Sequence, residues 1–280
     1  MKNLILLLLS IVCFGVSAQT FVSTTPENKN VVLEEFTGIY CTFCPDGHVI
    51  AQDLHDSYPN DIFLINIHTG GYSNPNSPSH PDFNSNHGAA IAANSGLAGY
   101  PAGTVNRHVF PNITPQGSPG TTALSRTDWG TASNDIMSQA SPVNVAAQAS
   151  FDMSTGILTV DTETYFTANH TGSAFLQVAV VENNVAGPQT GAQTYNPGNI
   201  ISGPWTPTYN HQHMLKYLMD GASGIELNVT TAGTFIPNTH TWTVPTTLTL
   251  PQGTAGYMPD IDPTNLAVVV FISEGPQEIL

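Results

Sequence analysis

Val32-Leu33-Glu34-Glu35-Phe36-Thr37-Gly38-Ile39-Tyr40-Cys41-Thr42-Phe43-Cys44-Pro45 is the stretch on which the fold turns. It begins inside a β-rich run, Asn30 to Thr37, that reads as a buried strand. From about Phe43 to Tyr58 the apolar residues Val49, Ile50, Leu54 and Tyr58 fall at helical spacing. Pro45 stands near the start of that helix, where its missing N–H does no harm. Asp61 to His68 then gives a second apolar strand. Strand, Cys-x-x-Cys at a helix start, strand: the order predicts a βαβ unit.

A cysteine at a helix N-terminus feels the partial positive charge of unpaired backbone N–H groups, which lowers its pKa from about 8.5. The spacing makes Cys41 the expected exposed nucleophile and Cys44 the resolving thiol of a thiol-disulfide exchange. Zinc sites use the same Cys-x-x-Cys spacing but need two further ligands, and no other cysteine is expected in the mature chain, so no metal is expected. Glu35 lies six residues before Cys41, and an even spacing along an extended chain aims it beneath the cysteines. A buried carboxyl there would have a raised pKa and could shuttle the proton of Cys44, whereas the plainer reading leaves Glu34 or Glu35 at a sheet edge.

Outward from the motif, Thr69 to Phe83 is rich in Gly, Asn, Ser and Pro and reads as a loop, leading into a small-residue helix around Asn86 to Asn94. A strand is expected over Gly103 to Val109, and a helix over Thr127 to Ala140. From Pro142 the pattern changes to period-two alternation at Val143–Phe151, Ile157–Phe166 and Ala174–Val181, with further strands at Thr239–Leu250 and Leu266–Ser273 and one helical piece, His211 to Met219. The expected fold is an α/β domain over residues 19–140 followed by an all-β, sandwich-like domain over residues 141–280.

The chain opens with Met1-Lys2-Asn3, an apolar run from Leu4 to Val16 and the small-residue ending Val16-Ser17-Ala18. That is the pattern of a signal peptide over residues 1–18. Cys13 follows the β-branched Val12, a poor lipoprotein cleavage site, so lipidation is not expected. The apolar run is shorter than the ~20 residues of a membrane-spanning helix, and no transmembrane span is expected in the mature chain. Export leaves one cysteine pair in an oxidising compartment, where it should be found as a disulfide. Five Lys plus Arg against twenty Asp plus Glu, a net charge of −15, repels phosphate backbones and excludes nucleic acid as a partner.

The motif resembles the Glu-Glu-Phe-Thr-Gly...Cys-x-x-Cys-Pro stretch of a thioredoxin-like outer-membrane protein family found in Bacteroidetes. Gly99-Tyr-Pro101-Ala-Gly-Thr-Val-Asn-Arg107 and His213-Met-Leu-Lys-Tyr-Leu218 also look like segments of that family. The resemblance implies a thioredoxin-like domain, then a β-rich domain, in a protein of the periplasm, outer membrane or cell surface. It further implies that Pro101 is the cis-proline opposite the Cys-x-x-Cys, with Tyr100 before it helping to hold a substrate chain, and that Glu35 is the buried acid. Tyr40 stands where thioredoxins usually have Trp, and Thr42-Phe43 replaces the Gly-Pro of the reductases, so a redox potential does not transfer.

His211 and His213, with His68, His80 and His87, invite a metal hypothesis, but loop histidines bonded to backbone groups are the commoner outcome. Asp260 and Asp262 fall short of the six to eight oxygens of a calcium site. Two functions remain. One is an envelope oxidoreductase acting on protein thiols or disulfides without a cofactor. The other is a non-catalytic surface binding or structural protein in which the disulfide staples a helix start.

Overall fold

A computed structural model describes residues 21–247 and 255–280. The signal peptide expected over residues 1–18, and residues 248–250 of one expected strand, lie outside the described residues.

The βαβ unit forms as β1 (Val31–Thr37), α1 (Cys44–Ser57) and β2 (Ile62–His68). β1 and β2 pair in parallel from Val31–Ile62 to Thr37–His68. All seven residues of β1 are buried, as expected of a strand covered on both faces. After α2 (Gly88–Ser95) the chain enters β3 (Ala102–Val105), antiparallel to β1. This strand stops short of the expected Val109 because Asn106 and Arg107 both turn to φ 49°. The helix α3 (Trp129–Met137) packs Trp129, Ala132 and Ile136 with Leu33, Leu64 and Ala51 over one face of β1 and β2.

The second half was expected to make a sandwich of its own, and here the structure differs. β4 (Val143–Asp152), β5 (Ile157–Phe166) and β12 (Phe235–Thr243) form a three-stranded sheet, in the order β12-β5-β4. β6 (Phe175–Glu182), β10 (Met214–Leu218), β13 (Leu266–Glu274) and β14 (Gln277–Ile279) instead join the first half's sheet, in the order β14-β13-β6-β10-β2-β1-β3, with β11 (Ile225–Glu226) also on β6. The sheet is therefore continuous across residues 140/141. It also curls: Glu278 N and Ile279 N at one end donate to the carbonyls of Arg107 and Asn106 at the other, at 3.2 and 2.8 Å. Inside the curl, α2 contributes Ile91 and Ala92 to a core with Phe36, Ile67, Val181 and Phe271. The three-stranded sheet covers the opposite face, packing Leu158 and Val160 on Val178 and Val180.

The expected helix His211–Met219 is two strands. β7 (Val185–Pro188), β8 (Ile200–Ile201) and β9 (Thr208–His211) make a small antiparallel sheet, with the one-turn helix α4 (Ala192–Tyr195) between β7 and β8. His213, at φ 53°, then redirects the chain into β10. β10 lies inside the large sheet between β6 and β2, so Met214, Leu215, Lys216 and Leu218 are all buried and period-two alternation is lost. A short run buried on both faces cannot be told from a helix by periodicity alone. Lys216 is tolerated there because its Nζ lies 2.9 Å from the carboxylate of the equally buried Glu182.

Candidate functional site

Cys41 and Cys44 are joined as a disulfide, with Cα atoms 5.4 Å apart. Cys44 opens α1, whose N-cap residue Phe43 makes no side-chain cap, and Pro45 occupies the first turn. Cys41, expected to be exposed, is only 3% accessible, and Cys44 is fully buried.

The cover comes from the segment between β7 and β8. Gln189, itself 1% exposed, donates through Nε2 to the carbonyls of Cys41 at 3.0 Å and Gly38 at 3.2 Å. Thr190 N donates to Ile39 O at 2.8 Å. Gly191 follows with φ 80°, and a Cβ there would collide with the backbone of Thr42. Tyr195 completes the cover, its ring 5.2 Å from that of Phe43, whose ring also lies 5.9 Å from the Arg126 guanidinium. Arg126 in turn holds Asp46 of α1 at 2.5 Å. Sequence reasoning missed Gln189, and no local signal marks it: Gly187 and Pro188 before it belong to β7.

Beneath the motif, Glu35 is fully buried rather than at a sheet edge, since β1 lies between β2 and β3. Its carboxyl packs on α1 at Gly47, where a Cβ would stand 2.5 Å from Oε1 and 3.2 Å from Pro101 Cβ. Neither Glu35 oxygen has a hydrogen-bond partner among the described residues. Burial lifts this carboxyl well above the ordinary range, against the weaker pull of Arg126. The neighbouring Glu34 faces the other way and forms a two-bond pair with Arg107, at 2.8 and 2.6 Å.

The Tyr100–Pro101 bond is cis. Gln116 Nε2 donates to the Pro101 carbonyl at 2.9 Å, and the half-buried Tyr100 ring meets Tyr72 edge-on at 5.6 Å. Pro101 and Glu35 thus meet at Gly47, one turn after Cys44.

Three histidines lie alongside. His48 of α1 hydrogen-bonds Thr37 Oγ1 and Tyr209 Oη, each at 3.0 Å, and its Nε2 is 3.8 Å from Glu35 Oε1. His211 packs among His48, His68 and Phe83, with ring centroids 6.4, 5.2 and 5.0 Å away. Burial lowers His48 to about 4 and His211 to about 3, and it lowers His68 in the same direction with help from the neighbouring His211, His48 and Lys216. These rings are neutral at physiological pH. His213, although only two residues from His211, sits elsewhere, 5.8 Å from His55 and 3.3 Å from Gln52. Among the described residues no group of three or more His, Cys, Asp or Glu is arranged to hold a metal ion. His80 bonds Tyr40 Oη at 2.8 Å, and Asp262 caps a turn at Thr264 N.

Among the described residues no helix is long and apolar enough to cross a membrane. A comparison with curated protein sequences gives no match. Among solved structures, HBP35 of Porphyromonas gingivalis is similar, with a TM-score of 0.61 over 90% of this chain and 73% of that one. At 18% identity this likeness shows a shared fold. A protein from Agrobacterium tumefaciens aligns over 87% of this chain and 95% of its own length, at 12% identity and a TM-score of 0.44. Residues 88–278 match the family model described as outer membrane protein Omp28, a span that holds Pro101 and the Gln189 cover and begins after the cysteines. That span is more than half of the chain, so the protein belongs to the Omp28 outer membrane protein family and to the cell envelope.

Proposed function

We propose that this protein is a non-catalytic binding or structural component of the outer membrane or cell surface, in which the Cys41–Cys44 disulfide is structural. The observation that carries this reading is the cover: both cysteines are buried, and Gln189 ties the carbonyls on either side of the motif's entry to the second half of the chain. Exchange requires a partner thiolate to reach a sulfur in line with the S–S bond, and a buried pair denies that approach. In this role the disulfide fixes the start of α1 against a segment distant in sequence.

A second reading, thiol-disulfide exchange, is favoured by one specific arrangement. The thioredoxin-like reading of residues 19–140 is supported by the unpartnered carboxyl of Glu35, which comes together with the Pro101 ring at Gly47 beneath the motif. In that role an external dithiol first reduces the pair; the Cys41 thiolate then attacks a partner disulfide and expels one partner thiolate, and Cys44, giving its proton to Glu35, attacks Cys41 Sγ, releases the second partner thiolate and restores the Cys41–Cys44 disulfide, while Tyr100 with Pro101 lies against the substrate chain. It requires the Gln189 segment to move away first.

The equilibrium reduction potential of the pair separates the two. It is read by alkylation and mass spectrometry across a dithiothreitol or glutathione series. A value below about −300 mV is expected, in the range of structural disulfides, and one above roughly −270 mV would transfer the assignment to exchange.

A further inference from the structure

A cleft of about 300 Å³ lies away from the cysteines, between β4 and β13. Its walls are five consecutive residues of β4, Val143 to Ala147, and five consecutive residues of β13, Val268 to Ile272, closed at one side by the segment 27–32. Side chains alternate across a strand, so a strand presents consecutive residues to one space only along its edge. The cleft is therefore walled by main-chain amides as well as by valine side chains.

Among the described residues both strands have an unpaired edge. β13 pairs with β6 along Leu266 to Ser273; its other edge meets β14 at Ser273 and Glu274, and Leu280 N donates to Ile272 O at 2.9 Å, so the stretch from Leu266 to Phe271 is left without a strand partner there. β4 pairs with β5 along its whole length, and among the described residues no strand takes its other edge. Open edges are ordinarily blocked by Lys, Pro or an inward charge. Neither strand carries Lys, Arg or Pro, and their acidic residues stand at the far ends, Asp152 and Glu274. Among the described residues the cleft is lined by one charged side chain, Glu27, in a protein of net charge −15.

We propose that this cleft binds an extended, apolar peptide segment of a partner protein, free of acidic residues, which adds as a strand to the open edge of β13 and packs alternate side chains on Val143, Val145 and Ala147 of β4. Main-chain hydrogen bonds supply the affinity and the apolar wall the preference, the two components of β-augmentation. The volume, at the low end of the roughly 300–1,000 Å³ of ligand pockets, takes a few residues rather than a folded element. The acidic surface and Glu27 repel an acidic segment and accept a neutral or cationic one. This inference names the partner class of the binding reading above, and it does not depend on the cysteines.

The test uses the mature chain with its disulfide intact and a fluorescein-labelled hexapeptide of alternating threonine and valine, blocked at both ends. Saturable anisotropy is expected, with new hydrogen-exchange protection over residues 266–271. The same peptide with N-methylated valine amides, and one with glutamate in place of threonine, should each bind roughly tenfold more weakly or worse. Val270→Lys, which places a charge on the wall, should do the same, and the exchange measurement on the parent decides the matter if that variant does not fold. No binding up to about 1 mM, equal binding of the N-methylated peptide, or protection elsewhere overturns the proposal. So does displacement of the peptide by decyl maltoside with the same protection, which would make the cleft an acyl-chain site. None of these outcomes changes the reduction potential, so the two readings fail separately.

Discussion

Replacing Gln189 by Ala removes the side chain that ties the cover to the Cys-x-x-Cys loop. Its Nε2 donates to Cys41 O at 3.0 Å and Gly38 O at 3.2 Å from a fully buried position. Leaving buried carbonyls without that donor costs about 1–3 kcal/mol. The backbone bond from Thr190 N to Ile39 O remains, so the cover should still close, but less firmly. If reductant reaches the disulfide only when the cover opens locally, a loss of 1–2 kcal/mol raises the open fraction roughly 5- to 30-fold. The reduction rate in native buffer should rise by the same factor. The assay is pseudo-first-order reduction by dithiothreitol, quenched by alkylation and counted by mass. Val160→Ala serves as the control, because it removes methyl groups from a fully buried core position between the two sheets and lowers global stability without touching the cover. The control should reduce at the parent rate. A Gln189→Ala rate within about twofold of the parent would show that the cover does not protect the sulfurs, and equal acceleration in the control would show that reduction passes through global unfolding.

Three further outcomes follow from buried ionisable groups. His211 has its pKa lowered to about 3 by burial, so the folded state keeps it neutral while the unfolded chain binds a proton below about 6.5; its contribution is complete above that pH and is lost as pH falls. Between pH 6.5 and 5 this amounts to about 1.6 kcal/mol, so His211→Phe, packed beside Phe83, should gain that much relative to the parent over the interval in urea unfolding, and a constant difference would refute the assignment. Glu35 works with the opposite sign: its raised pKa penalises the fold as pH rises above the unfolded value, so Glu35→Gln should flatten the parent's loss of stability toward alkaline pH. Arg107→Ala strands the buried Glu34 carboxylate and removes the cation 5.2 Å above the Phe271 ring, which should cost about 3–5 kcal/mol in denaturant titration, and a loss under 1 kcal/mol would mean that water solvates Glu34.

The first third of the fold was legible because its signals are local. Pro45 at a helix start, apolar residues at helical spacing after Cys44 and the run Ile62–His68 each specify an element without reference to the rest of the chain. The strands of the second half were legible as strands, but their sheet was not. β5 and β6 are both alternating and consecutive, yet β5 pairs with β4 and β12, whereas β6 joins β10 and β13 in the sheet begun by β1. The partner of a strand is set by contacts far along the chain, as where β6 meets β13 at Glu182–Leu266 and Phe175–Ser273. β10 was misread as helix because burial on both faces erased its period. The spacing of Glu35 from Cys41 left two places open, beneath the cysteines or at a sheet edge, and only the position of β1 between β2 and β3 buries it, whereas nothing near Gln189 marks it as the residue that covers the cysteines.

The buried carboxyl and the cover pull the interpretation of one disulfide in opposite directions, and their energies decide between them. Glu35, Gly47 and Pro101 form a tight contact one turn from Cys44, and an unpartnered carboxyl in that position is a cost that a purely structural staple has no need to bear. The cover, however, holds the motif by at least three hydrogen bonds and an aromatic contact, all made by residues 189–195. A partner protein can exchange with Cys41 only if its binding energy exceeds the cost of displacing them. A disulfide with the surroundings of an exchange site thus behaves as a structural one wherever opening costs more than a partner supplies, which is why the fold alone does not assign the chemistry. The opening free energy at Gln189, rather than the identity of the residues beneath it, is the quantity on which the function of the motif depends.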